Sequence, residues 1–270
     1  FSKEYWGYAL RIGIPIVPHY LSGIILNQGD RIMIDKMVGK TEVALYGLAY
    51  SIGMLVQLFI SGMNSALTPW MYSKIKKGDI RSMRKVLQLL SIVVVGIAVA
   101  LMLISPELVL IFGSPKYHEA VYVIPPVAAS VFFIFIYNIL SMPQFYYEKT
   151  QFLMAASMAA AGANVVLNFI FIRLFGYIAA GYTTLACYML YSVGHYIVSK
   201  RILVNEGIQE NLMNPGFLLA CSVFLIGASI ICNLIFPYRI LRYAILLASA
   251  GLVFWKKELL LKTMADIRKK

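Results

Sequence analysis

Residues 11–36 hold the side chains best able to do chemistry in this sequence. Arg11 stands at one end of the stretch, and Asp30, Arg31, Asp35 and Lys36 stand at the other. The eighteen residues between Arg11 and Asp30 are uncharged, and they include Pro15, Pro18, His19, Ser22, Asn27 and Gln28. At ~1.5 Å per helical residue they cover ~27 Å, close to the thickness of a bilayer's hydrocarbon core. A helix facing only lipid would not carry these polar groups, so this one is expected to face other helices or a wet cavity. The two prolines predict a broken or kinked helix and leave open whether Arg11 and Asp30 share a face.

Asn27, Asp30 and Arg31 share a face at i, i+3 and i+4, and Arg31 and Asp35 stand one turn apart. By position they read either as an interfacial salt-bridge cluster that anchors the helix end or as a charged rim over a cavity. Arg11 has no acidic neighbour one turn away. It either snorkels to headgroups or points at a phosphate, which a guanidinium can hold through two parallel hydrogen bonds. Further on, Gln57, Ser61, Asn64 and Ser65 recur at helical spacing. They give that helix a polar face suited to a sugar path or to hydrogen bonds between helices. His19, His118 and His195 are scattered, and Cys187, Cys221 and Cys232 lie in apolar runs without a CxxC pair. No metal, cofactor or disulfide is expected from them.

The elements that carry these residues are membrane spans. Sixty per cent of the residues are hydrophobic, 13% are charged and the mean hydropathy is +0.77. Apolar runs of spanning length that do not alternate predict an all-α, polytopic helical membrane protein with about eight transmembrane helices. They fall near 5–29, 43–73, 86–104, 121–142, 152–172, 178–198, 215–236 and 240–255. Arg242, within the last, is expected to snorkel to the headgroups. Ala155, Ala159 and Ala163, with Gly162, form a small-xxx-small pattern that predicts close helix packing. The chain starts at Phe1, which suggests a fragment whose earlier part is missing.

With eight spans, both termini lie on one side. That side collects sixteen Lys and Arg residues, among them Lys74, Lys76, Lys77, Arg81, Arg84, Lys85 and the tail Lys256, Lys257, Lys262, Arg268, Lys269 and Lys270. The other side collects seven. The bias places both ends in the cytoplasm, and the net charge of +12 is read as a topology signal, not a nucleic-acid surface.

Two stretches carry a family resemblance. IPIVPHYLSGIILNQGDRIMIDKMVGKTEVALYGLAYSIG resembles the start of the second half of bacterial oligosaccharidyl-lipid flippases, members of the multidrug/oligosaccharidyl-lipid/polysaccharide exporter superfamily. The matching positions are Pro15, Pro18, Asp30, Arg31, Gly39, Tyr46, Gly47 and Ala49. NVVLNFIFIRLFGYIAAGYTTLACY is similar to the family's C-terminal domain through Asn164, Asn168, Gly176, Ala180 and Gly181, with Arg173 where a proline is common.

The resemblance implies the last eight of fourteen helices. Residues 1–200 would form a second six-helix lobe, and 201–270 two further helices with a basic tail. It implies export of undecaprenyl-diphosphate-linked oligosaccharide across the bacterial inner membrane by alternating access, for cell-surface polysaccharide. The partners would be that lipid-linked substrate, the membrane and a missing N-terminal lobe, with no nucleic acid.

On this reading Arg11 would load the diphosphate. Asp30, Arg31 and Asp35 would form an outer gate, Pro15 and Pro18 the bend, and Asn27, Gln57 and Asn64 would contribute to the path. An enzyme is disfavoured: the aspartates Asp30, Asp35, Asp79 and Asp266 make no DxD pair for a membrane glycosyltransferase or polymerase. The nearer alternative is a cation-coupled multidrug exporter of the same superfamily. It needs an acid deep in a span, and Asp30 comes closest.

Single cysteines introduced at positions 77, 116 and 262 in a cysteine-free background test the orientation. An impermeant thiol reagent applied to intact cells should label position 116 and spare 77 and 262. The reverse pattern would refute the cytoplasmic placement of the termini.

Overall fold

The computed structural model describes residues 2–255. Its described residues form nine α-helices and one 3-10 helix, with no strand. The first helix, α1 (Lys3–Met37), is followed by α2 (Lys40–Gly53) and α3 (Leu55–Lys76). Next come α4 (Ile80–Phe112), the 3-10 turn Pro115–Val123 and α5 (Ile124–Tyr146). The chain ends with α6 (Thr150–Phe175), α7 (Ala179–Asn205), α8 (Pro215–Ile235) and α9 (Arg239–Trp255). The basic tail from Lys256 onward, including Lys262, lies outside the described residues.

The protein is therefore an all-α polytopic membrane protein. Five helical segments are long and apolar enough to cross a membrane alone, and α2 with α3 makes a sixth. These two meet at 40° around Met54. Eight spans were expected. α7 has the length, but Thr183, Thr184, Tyr188, Tyr191, Ser192 and His195 dilute its apolar character. With 17 residues, α9 is short for a span.

Helix α5 is the axle of the bundle. Every residue from 123 to 136 is buried, as befits a helix that is apolar all round. It packs against α7, α4 and α3, and α6 joins α7 to α1. Helices α8 and α9 lie against α4, with α8 also touching α5.

Two helices run on where the sequence suggested breaks. α1 continues through Pro15 and Pro18. α4 passes Pro106, where the neighbouring Ser105 hydroxyl donates to the Met102 carbonyl at 2.8 Å. At the start of α4, Asp79 caps the Ser82 amide and pairs with Lys74 at 2.6 Å.

Three sequence readings are corrected. Arg242 does not snorkel: it is 3% exposed and grips Glu107 through two bonds of 2.8 and 2.7 Å, with a third to the Leu103 carbonyl. Burial is tolerated because the fork is matched by the carboxylate. Of the small-residue row, Ala155, Ala159 and Gly162 are exposed, with nothing within 4 Å of a Cβ built at Gly162, and only Ala163 packs against the core. The buried face of α6 is instead Ser157, Ala160, Ala161, Asn164, Asn168 and Ile172. The prolines do not break α1, which runs on through both of them.

The loops assigned to one side do meet. Tyr8 of α1 donates to Glu148 in the α5–α6 turn, and Arg84 at the start of α4 reaches the Asn211 carbonyl and Glu210 before α8.

The bend between α2 and α3 depends on a close approach to α5. A Cβ at Gly53 would stand 2.7 Å from Val127 Cγ1, a distance real side chains do not accept. Gly53→Ala should cost about 1–3 kcal/mol through overpacking. Gly62→Ala meets open space and should be neutral or stabilising. Thermal unfolding of the detergent-solubilised protein checks both, and an unchanged midpoint for Gly53→Ala would contradict this packing.

Candidate functional site: a buried carboxylate among neutral donors

Asp30 is fully buried, two turns before the end of α1. Burial is set by register: Ser22, Leu26, Asp30 and Ile34 recur every four residues on the face α1 turns inward. Three side chains on three other helices reach its carboxylate. Tyr46 of α2 and Thr184 of α7 donate hydroxyl bonds to Oδ2 at 2.5 and 2.6 Å, and Asn168 of α6 donates to Oδ1 at 2.5 Å. Asn168 also donates to Asn164 Oδ1 at 3.2 Å and accepts from Thr183. Asn164 Nδ2 is buried without a partner.

Among the described residues no cation pairs with this carboxylate. The ion pairs among the described residues are Lys74–Asp79, Arg84–Glu210 and Arg242–Glu107. Arg31 turns away, donating to Gln28 at 2.5 Å and lying 5.1 Å from the centre of the Tyr50 ring.

An unpaired buried carboxylate is strongly unfavourable, and neutral hydrogen bonds offset only part of the penalty. The site is therefore suited to taking one positive charge, either as a proton on Asp30 or as a monovalent cation. The Asp30 carboxylate and the hydroxyls of Tyr46 and Thr184 are hard oxygen ligands, while Asn168 turns its amide N–H to the carboxylate and its oxygen to Thr183. A single negative charge matches a single positive one. Among the described residues no three His, Cys, Asp or Glu side chains gather as a transition-metal site would require.

The sequence-derived residues separate into three groups. Asn27 and Asp30 both face α2: Asn27 Oδ1 accepts from Tyr50 at 2.9 Å, and Arg31 lies over the same tyrosine. Asp35 is exposed, so Asp30, Arg31 and Asp35 do not form one rim. Asp30 points into the bundle while the other two lie toward its surface, because the helical turn separates neighbours by about 100°.

Arg11 is exposed and lines a pocket of about 340 Å³ with Tyr8, Lys149 and Thr150. Gln57 and Asn64 sit on α3, and each leaves its side-chain oxygen buried without a partner. Ser61 and Ser65 are exposed and bond back to their own helix. Pro15 is buried and Pro18 half-buried within the unbroken α1.

Reading by position missed Tyr46, Thr183 and Thr184 as partners of the site, and with them the depth of Asp30. The available signal was polar residues inside apolar helices: Asn164 and Asn168 one turn apart, and the Thr183–Thr184 pair.

The family model described as MatE matches residues 15–170. The chain is 29% identical over 159 residues to "Lsg locus putative protein 1" of Haemophilus influenzae, covering 56% of this chain and 38% of that protein. A second Haemophilus influenzae relative, "Uncharacterized membrane protein", is 29% identical over 158 residues, covering 55% of this chain and 37% of its own length. The chain thus spans about two fifths of the curated relatives it matches, and no solved structure matches it. The MatE match contains Asp30, Tyr46, Asn164 and Asn168 and covers more than half of the sequence, so the chain belongs to the MatE family of membrane transporters.

Proposed function

We propose that this chain is one lobe of a cation-coupled exporter that carries lipid-linked oligosaccharide outward across the bacterial inner membrane. The observation that carries the coupling is Asp30, a fully buried carboxylate held by Tyr46, Asn168 and Thr184 with no cationic partner among the described residues. A transporter stores driving force by letting one conformation bind an ion that another releases. Asp30 touches α2, α6 and α7 at once, so taking or losing a positive charge there changes the attraction among four helices.

The cargo assignment rests on charge. Alongside the exposed acids Glu4 and Asp35, α1 and α3 offer the exposed Arg11 and the unpartnered oxygens of Gln57 and Asn64, and these last three are cationic or neutral. They suit a diphosphate and a glycan better than a cationic drug. The acid within the span, Asp30, is turned away from that surface. Arg11 would meet the diphosphate where the termini lie, and Arg31 stands near the opposite end of α1. Large apolar residues exposed on α1, such as Leu21 and Ile24, are the surface a second lobe would cover. Residues 1–200 would then be a six-helix lobe, with α8, α9 and the following segment as additions.

Export by vesicles carrying the full-length protein tests the reading, with an undecaprenyl-diphosphate-linked sugar and a cationic dye as competing cargoes. The linked sugar should move in response to a cation gradient and the dye should not. Asp30→Asn should abolish the response to the gradient at normal protein abundance. Arg11→Ala should weaken loading of the diphosphate, and Arg11→Lys should restore it only in part because it lacks the two-bond fork. Movement of the dye alone would assign the multidrug activity instead. Gradient-driven transport by Asp30→Asn would remove Asp30 from the mechanism.

A further inference from the structure

Helices α7 and α8 both pack on α5 but not closely on each other, which leaves a cleft between them. It encloses about 250 Å³. Phe132, Phe133 and Ile136 of α5 form its floor, with Val193 of α7 on one wall and Leu218 and Leu219 of α8 on the other. The hydroxyls on its walls are engaged within their own helices. Ser192 donates to the Met189 carbonyl and Ser222 to the Leu218 carbonyl, each at 2.8 Å. The cleft therefore suits an apolar occupant.

Tyr196 lies at one end of this cleft and also lines a second recess of about 440 Å³ with Lys200 and Arg201, so the two are continuous. One helical turn, ~6 Å, separates Tyr196 from Lys200. Lys200 and Arg201 are exposed, and among the described residues neither makes an ion pair. Glu206, the acid at the end of α7, does not line the recess.

We propose that cleft and recess together form a site for one anionic diacyl phospholipid, with an acyl chain between α7 and α8 and the phosphate headgroup on Lys200 and Arg201. The lipid fastens α8 to α7 where protein contact is lacking. The site is separate from Asp30 and Arg11, since α1 packs on α6 and α2 while α8 packs on α4, α5 and α9. It stands independently of the cargo and coupling readings.

Three properties of the groove select this occupant. The first is the environment. In a bilayer no water fills an apolar gap, and an empty one forfeits the dispersion contacts of its walls, so a lipid chain is drawn in. The second is length. From Met189, deep in the cleft, to Arg201 is twelve residues, or ~18 Å, against ~15 Å for half a hydrocarbon core. Chain and headgroup thus fall within one leaflet, and a long polyprenyl chain would overrun the slot.

The third is charge. A guanidinium can hold a phosphate through two parallel hydrogen bonds, and the neighbouring ammonium adds a point charge. Tyr196 stands between the apolar and charged parts, where a phenol has one face for each. The recess lies on the side of the basic α3–α4 turn, because Arg84 at the start of α4 reaches Glu210 and Asn211 in the α7–α8 loop. Anionic lipid gathers at such a surface. Cations near the end of α7 also complement the helix dipole. That would hold anywhere around the helix and does not explain why both border the mouth of an apolar cleft.

Native mass spectrometry of the full-length protein in detergent, titrated with dioleoyl-phosphatidylglycerol, tests the site. One molecule should bind in preference to dioleoyl-phosphatidylcholine, which has the same chains and no net charge. Lys200→Gln with Arg201→Gln should weaken binding by a factor on the order of 20, about fivefold per cation. Leu219→Trp fills the cleft from an exposed position and keeps both cations, and it should weaken binding as well. Lys77→Gln removes an exposed cation outside the groove and should leave binding as in wild type. Loss in the double variant with full binding in Leu219→Trp would reduce the effect to surface attraction and overturn the groove. Equal binding of phosphatidylcholine would remove the cations from the site. Displacement of phosphatidylglycerol by equimolar undecaprenyl phosphate would overturn the choice of a diacyl lipid and assign the groove to a polyprenyl chain. Absence of any bound lipid would overturn the proposal in favour of polypeptide cover.

Discussion

The unbalanced charge of Asp30 inside an apolar bundle is the constraint around which the rest is arranged. Removing a carboxylate from water is unfavourable enough that the protein supplies it with neutral donors: a phenol, an amide and an alcohol from three helices. Those donors tie α1, α2, α6 and α7 to one point. The same arrangement supplies no cationic partner among the described residues, and on the proposed reading an arriving cation would fill that role. A salt bridge at this position would be stable and inert. A carboxylate held only by dipoles is a point where occupancy and helix packing depend on each other.

The contrast with Glu107 and Arg242 is instructive. There a guanidinium and a carboxylate meet in a two-bond fork, Tyr243 adds a third contact to Glu107, and the Leu103 carbonyl takes a further guanidinium hydrogen. The pair is self-sufficient and docks α9 on α4. The half-buried Glu107 is therefore neutralised within the protein, and the buried Asp30 has no such partner among the described residues. The first fixes an interface, and the second is the group the proposed coupling would use.

Much of this was legible in the sequence. Apolar runs gave the helical membrane class and nearly every segment, because length and hydropathy are local properties. The depth of Asp30 was not legible. Its neighbours Arg31 and Asp35 make the helix end look like an ordinary charged rim, and the prolines obscure the register. Only the packing of α1 on α6 shows that Asp30 falls on the Ser22–Leu26–Ile34 face while Asp35 falls outside it. Arg242 misled for a related reason: its partner Glu107 is 135 residues away, so a lone arginine in a span looks like a snorkel. Small residues on α6 misled because close packing needs a facing helix, which periodicity alone cannot supply.

The central claim is that Asp30 binds a positive charge in the folded protein, and thermal stability measured against cation concentration tests it most directly. A cation that binds only the folded state raises stability in proportion to the logarithm of its concentration above its dissociation constant. Unfolding of the purified full-length protein should therefore respond to added H⁺ or Na⁺ with a component that Asp30→Asn lacks. Equal responses in wild type and Asp30→Asn, across both cations, would contradict the account.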